Sequence, residues 1–178
     1  MSPQTTEYTA RLHTLAIELG IPSDYAAQRQ LSIFPEAAEL VSIGNNPEGR
    51  ACKLIRPAAR AWHSMYAAAR KLEIELQPLS GFRSVDRQAE IIRGKLAVGE
   101  KIEDILHSMA APGYSEHHTG RAIDIGSEES PALEEAFADT RAFAWLQLHG
   151  NEFGFYLSFP KNNPHGFVYE PWHWCWKG

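Results

Sequence analysis

Apolar residues recur at three- and four-residue steps through the first twenty positions, where Tyr8, Leu12, Leu15 and Leu19 share one helical face. Thr5 or Thr6 can cap the start and Gly20 can end it, so the spacing predicts an amphipathic helix over 4–19. A looser stretch over 21–50 carries a second short helix near 23–30 and a candidate strand at 40–43. It closes on the turn run Asn45-Asn46-Pro47-Glu48-Gly49. From Arg56 to Leu72 the pattern is helical again, with Pro57 in the first turn and Trp62, Met65 and Tyr66 on the inward face. Ile74, Leu76 and Leu79 then alternate towards Ser80-Gly81-Phe82, the pattern of a strand. Ser84 caps a helix running to about Leu96, and a further helix over 100–109 stops at Ala111-Pro112-Gly113.

The second half of the chain shortens its period. Ala122-Ile123-Asp124-Ile125 is a β-type run, 131–152 reads as helix, 155–159 as strand and 160–166 as a loop rich in Asn and Pro. Trp172, Trp174 and Trp176 alternate with His173 and Cys175, the period of two that a strand produces. The tryptophans are then expected to pack on one face while His173 points to the other. Helices and strands in mixed order, with no βαβ rhythm, predict an α+β fold. We expect a single domain over 1–178, its first 50 residues forming a helical extension.

Composition narrows the function. A chain of 178 residues suits one domain, and 44% hydrophobic with 22% charged residues is ordinary for a soluble globular protein. The net charge of -5, with no run of Lys or Arg, argues against nucleic acid as a partner. No segment approaches the roughly 18–20 apolar residues of a membrane span, so no membrane partner is expected. Residues 1–20 lack the basic start and apolar core of a signal peptide, which makes the cytoplasm the expected location. Cys52 and Cys175 are too few for a disulfide framework and are expected as reduced, packed thiols.

Chemistry concentrates in two places. His117 and Asp124 flank Gly120 in Ser115-Glu116-His117-His118-Thr119-Gly120-Arg121-Ala122-Ile123-Asp124, and Glu170-Pro171-Trp172-His173 lies far downstream. A carboxylate inside the apolar run Ala-Ile-Asp-Ile is costly without a partner, and a metal ion supplies one. One His and one Asp from a local unit, with a second His from the last strand, make three protein ligands. That is the number a catalytic zinc takes while keeping a fourth position open, which implies one zinc ion per chain. Glu170 then stands as the general base for water. His13, His63, His107 and His149 have no partner at ligand spacing. His118 would face away from His117 and reads as a structural or surface histidine, and His165 is a candidate for the cleft rim.

Together these residues resemble a known family. Ser-x-His-x-x-Gly-x-Ala-x-Asp at 115–124 and Glu-Pro-Trp-His at 170–173 are similar to the motifs of the VanY-type D-alanyl-D-alanine metallocarboxypeptidases. That family shares a zinc fold with VanX-type dipeptidases, phage endolysins and the hedgehog domain. The likeness extends to Ser80-Gly81-Phe82-Arg83-Ser84, Gln88 and Pro112-Gly113-Tyr114, and covers residues 55–176. It implies a small central antiparallel sheet flanked by helices, with His117, Asp124 and His173 on zinc and Glu170 as base. Arg83 would stabilise the oxyanion or hold the substrate, and Ser115 and Gln88 would help anchor its terminal carboxylate. Arg suits that task because its planar fork binds a carboxylate bidentately.

The implied substrates are peptidoglycan stem peptides or muropeptides, from which a C-terminal D-alanine is hydrolysed. The missing secretion signal tips the expectation to L,D-cleavage of recycled tetrapeptides over D,D-cleavage of pentapeptides. The alternatives are an L-Ala-D-Glu endopeptidase of the endolysin kind and a non-catalytic zinc interaction domain; Glu170 argues against the latter. One departure is visible. The family commonly has Arg after Glu-Pro-Trp-His-Trp, whereas this chain has Cys175, expected as a neutral thiol lining the cleft.

Overall fold

Helices and short strands follow one another in mixed order through residues 3–178, the part of the chain that the computed structural model describes. The helices are α1 (Pro3–Glu18), α2 (Tyr25–Gln28), α3 (Arg56–Arg70), α4 (Val85–Ala97), α5 (Ile102–Ser108) and α6 (Arg141–His149). The strands are β1 (Val41–Asn45), β2 (Ala51–Leu54), β3 (Gln77–Ser80), β4 (Ala122–Gly126), β5 (Phe155–Leu157) and β6 (His173–Trp176). β1 and β2 form a hairpin, and the other four make an antiparallel sheet in the order β3-β4-β6-β5. This is the expected α+β architecture, a small antiparallel sheet flanked by helices.

Two main clusters of buried residues hold the elements together. The larger brings Trp62 and Met65 of α3, Ile123 and Ile125 of β4, Phe143 and Leu146 of α6 and Trp174 of β6 into one core. In the other, Leu12, Leu15 and Leu19 at the end of the chain's first helix pack on Val85, Ala89 and Ile92 of α4 and Ile105 of α5. The N-terminal segment is therefore fastened to the helices that precede the first motif. No helix among the described residues is long and apolar enough to cross a membrane.

Local chemistry explains most boundaries. Ser84 caps α4 by accepting a hydrogen bond from the Arg87 N–H at 3.1 Å, and Pro57 sits in the first turn of α3, where its missing N–H costs nothing. α1 begins upstream of Thr5 and Thr6, so neither is its N-cap.

Three other expectations change. β2 was not anticipated: Cys52 and Leu54 alternate with exposed neighbours, but four residues are too short a run to register as a period. The segment 131–152 is no continuous helix. Leu133 takes a left-handed φ of 58°, a 3₁₀ turn covers Glu135–Asp139, and Thr140 is extended and caps α6 by accepting from the Phe143 N–H. A second 3₁₀ turn spans Gly150–Phe153 after α6, and the strand expected to reach residue 159 ends at Leu157.

Candidate metal centre

Ser115 opens the first motif by accepting a hydrogen bond from the His117 N–H, starting the 3₁₀ turn Glu116–Thr119. Gly120 closes that turn at φ 63°, where a Cβ would lie 2.9 Å from a methyl of Leu40. Only glycine suits both the left-handed backbone and the close approach. β4 begins two residues later, so His117 Nε2 comes within 3.2 Å of Asp124 Oδ2. The second motif arrives by strand pairing. Asp124 stands opposite His173 in the β4–β6 ladder, which puts His173 Nδ1 3.1 Å from Asp124 Oδ1.

One donor atom from each of His117, Asp124 and His173 lies within 4.8 Å of the others, and all three residues are buried. Around a tetrahedral cation with donors at about 2 Å, neighbouring donors lie roughly 3.4 Å apart. The contacts of His117 and His173 to Asp124, at 3.2 and 3.1 Å on its two different oxygens, come near that spacing, and two imidazoles with one carboxylate form a donor set suited to zinc. Burial alone would raise Asp124, but the imidazoles of His117 and His173 outweigh it and hold this carboxyl far below the usual range. Burial lowers His117, against the pull of the Asp124 carboxylate. Burial also opposes charge on His173, yet its hydrogen bonds to Asp124 and Glu116 prevail and bring it up to about 10.

The outer nitrogens of both imidazoles are held as well. His117 Nδ1–H donates to the Gly81 carbonyl at 2.6 Å, which directs Nε2 at the cluster. His173 Nε2 lies 3.0 Å from Glu116 Oε2, an oxygen that also accepts from Ser158 Oγ at 2.6 Å. Burial works against ionised Glu116, but His173 and Ser158 bring it down to about 2.

Arg83 reaches the same place from the loop after β3. Its Nη1 donates to Gln88 Oε1 at 3.0 Å and its Nη2 to Ser80 Oγ at 3.3 Å, with Nη2 3.8 Å from Asp124 Oδ2. Gln88 is fully buried, and its Nε2 donates to the Ala110 carbonyl at 2.6 Å. Both ends of that amide are thus used inside the protein, one of them on the Arg83 guanidinium. His118 is fully buried: Nδ1–H donates to the Arg83 carbonyl and Nε2 accepts from the Gly113 N–H, while burial holds it neutral at about 4. The Glu170 carboxylate lies 3.8 Å from His173 Nδ1, and burial pushes it up to about 7.

These groups line a cleft of about 340 Å³ whose other walls include Ser115, Leu133, Phe159, Phe167 and Trp172. The cleft brings together every residue singled out for chemistry: Arg83, Gln88, Ser115, His117, Asp124, Glu170 and His173. Cys175 differs from expectation, because it lies buried outside the cleft wall. Burial, reinforced by the Glu116 charge, raises its thiol to about 12 and keeps it neutral. His165 also stands outside the wall, its Nδ1–H donating to the Arg29 carbonyl at 2.9 Å.

This geometry has counterparts in known proteins. Residues 51–178 match the VanY family model, described as D-alanyl-D-alanine carboxypeptidase. The chain belongs to this family. Among VanY relatives, YodJ of Bacillus subtilis (strain 168) is 39% identical over 122 residues, covering 66% of this chain and 44% of YodJ. The chain thus spans less than half the length of that relative. The solved LdcB LD-carboxypeptidase superposes with a TM-score of 0.72 at 33% identity, over 80% of this chain and 70% of LdcB. The D,D-pentapeptidase VanY of the VanB-type resistance cassette, solved with Zn(II), gives a TM-score of 0.65 at 25% identity, over 83% and 84% of the two chains.

Two features of the VanY-type cleft escaped the sequence reading. Glu116 sits beside His117, but its partners Ser158 and His173 are 42 and 57 residues away, and no local pattern signals such a contact. Leu133 is half exposed in the cleft wall at φ 58°, a conformation unusual for a bulky residue. Nothing in Ser130-Pro131-Ala132-Leu133 forecasts it.

Proposed function

We propose that the chain is a zinc-dependent peptidoglycan carboxypeptidase that releases C-terminal D-alanine, acting on the L,D bond of tetrapeptide stems. The observation that carries this reading is the placing of Glu170 beside the donors of His117, Asp124 and His173, in a cleft that Arg83 shares. The donor set, charge and burial all suit one zinc ion per chain. A zinc ion bound there supplies Lewis acidity, polarising a carbonyl and lowering the pKa of water to about 7.

The chain's own residues do the rest. Arg83 receives the substrate's terminal carboxylate, with Ser115 on the same wall and Gln88 keeping the guanidinium aimed. Glu170 takes a proton from water as the oxygen attacks the scissile carbonyl carbon. It then returns that proton to the amine of the departing D-alanine as the C–N bond breaks. A carboxyl poised near 7 can run in both directions at neutral pH. The L,D preference is supported by the greater likeness to the LdcB LD-carboxypeptidase than to the D,D-pentapeptidase VanY, 33% against 25% identity.

Incubation of the zinc-loaded protein with tetrapeptide and pentapeptide muropeptides, followed by mass spectrometry, tests this. Tetrapeptide is expected to lose one alanine. Intact tetrapeptide beside trimmed pentapeptide would reject the L,D assignment, and release of a whole stem fragment would reject carboxypeptidase action altogether.

A further inference from the structure

Glu116 has no part in the chemistry so far, yet it is a largely buried carboxylate aimed at a candidate metal donor. Its Oε2 lies 3.0 Å from His173 Nε2, on the side of the ring opposite Nδ1, which faces Asp124 at 3.1 Å. Ser158 Oγ donates to the same oxygen at 2.6 Å and pins the carboxylate from β5's end of the sheet. The His173 ring also packs against Phe159 and His117, with ring centroids 4.8 and 4.9 Å away. Packing therefore limits where the ring lies, but only a hydrogen bond decides which nitrogen carries the proton.

Resting on the reading of His117, Asp124 and His173 as zinc donors, we propose that Glu116 is a positioning residue: it holds the proton of His173 on Nε2 and so turns the Nδ1 lone pair to the metal. Once a metal takes the Nδ1 position, an acceptor at Nε2 keeps the ring's remaining proton there and leaves the Nδ1 lone pair to ligate. Gly81 does the same for His117 through its carbonyl. Glu116 adds what a carbonyl lacks, a full negative charge, which strengthens the hydrogen bond and makes the imidazole a more basic ligand.

The test is zinc affinity, measured by competition with a chromophoric chelator in the full chain, with cobalt absorption as a second readout. Glu116→Ala is expected to weaken zinc binding about 10- to 100-fold, the usual cost of losing such a partner. The cobalt d–d bands should shift, because His173 no longer presents one fixed nitrogen. Glu116→Gln preserves shape and removes charge, and is expected to lose about threefold or more. Glu116→Met, which fills the space but offers no oxygen acceptor, keeps the test open if the alanine variant does not fold. Wild-type affinity and an unchanged cobalt spectrum in Glu116→Ala or Glu116→Met would overturn the role of Glu116 alone, and the same result in Glu116→Gln would overturn the contribution of its charge. A wild-type chain that takes up no zinc would overturn the metal centre, and this role with it.

Discussion

Replacing Gly81 with alanine should damage the metal centre without touching a donor. Gly81 is not in the left-handed region, so the substitution carries no backbone strain of its own. The obstacle is contact. A Cβ built on Gly81 would lie 2.5 Å from the Lys53 carbonyl oxygen and 3.1 Å from the Lys53 nitrogen, both backbone atoms, whereas ordinary contact begins at 3.4 Å. The segment must move away from β2 by roughly 0.9 Å, the shortfall in that contact. Two hydrogen bonds share the move: Phe82 N–H to the Lys53 carbonyl at 2.7 Å, and His117 Nδ1–H to the Gly81 carbonyl at 2.6 Å. Lengthened by that amount, the second passes beyond hydrogen-bond range and frees the His117 ring. Overpacking of this kind costs about 1–3 kcal/mol, or roughly 3–10 °C in Tm for a chain of this size. Release of the ring should cost about 10- to 100-fold in zinc affinity. Chelator competition and thermal melting read the two effects. Gly94→Ala in α4, where a new Cβ meets nothing within 4 Å, serves as a control and should leave both unchanged or raise Tm slightly. If Gly81→Ala bound zinc and melted like the parent protein, the link from backbone approach to His117 would be refuted.

The remaining predictions concern the cleft and its charges. Glu170→Gln should lower turnover about 10²- to 10⁴-fold while zinc content by elemental analysis stays at the parent level. Arg83→Lys keeps the charge but loses the fork and the paired bonds to Gln88 and Ser80, so KM for the released-alanine assay should rise about tenfold or more. In protein stripped by a chelator, His173 is raised to about 10, so its protonated form contributes stability that is present below about 6.5 and lost as pH climbs through 10. Zinc must expel that proton. Its affinity should therefore increase with pH across the neutral range, visible as proton release in calorimetry in buffers of different ionisation heat; affinity independent of pH would contradict it. Arg29→Ala removes two hydrogen bonds to the His165 and Gly166 carbonyls and stacking on Phe167, a cleft wall. KM should rise several-fold and Tm fall by the equivalent of about 1–3 kcal/mol, with zinc affinity unaltered.

Much of the site was legible because its chemistry is at odds with its surroundings. Asp124 stands in a run of Ala and Ile where a lone carboxylate would be costly, and that conflict pointed to a partner before any geometry was known. His173 could be placed on the opposite face from Trp174 because alternation in a strand is strict. What escaped was the contact network behind the donors. Gln88 looked like a substrate ligand, but its amide is taken up by Arg83 and Ala110, a pairing that depends on how α4 packs against the residue 110 loop. Cys175 was expected in the cleft because it shares the His173 face. β6, however, runs away from the site, and two residues along the strand carry the thiol out of the cleft and behind Glu116. Segment 131–152 misled because apolar spacing cannot show that Leu133 and Thr140 leave helical backbone.

The sheet register explains why such distant motifs meet with small tolerances. Ser80 pairs with Asp124 and Asp124 with His173, so three strands contribute one residue each to a single row across the sheet. Ser80 holds Arg83, Asp124 sits at the centre, and His173 closes the set. His117 comes from the turn just before β4, whose Gly120 fixes its approach. A slip of one residue between β4 and β6 would turn His173 away and put Trp174 opposite Asp124. What forbids the slip is the other face of the same strands, where Ile123, Ile125 and Trp174 lie in the main core and Trp174 Nε1–H donates to the Pro171 carbonyl. Turning β6 over would take the Trp174 indole out of that core and put the ionisable His173 into apolar surroundings. The hydrophobic face thus sets the alignment of the metal-binding face, and precision at the candidate centre depends on packing at residues that never touch it.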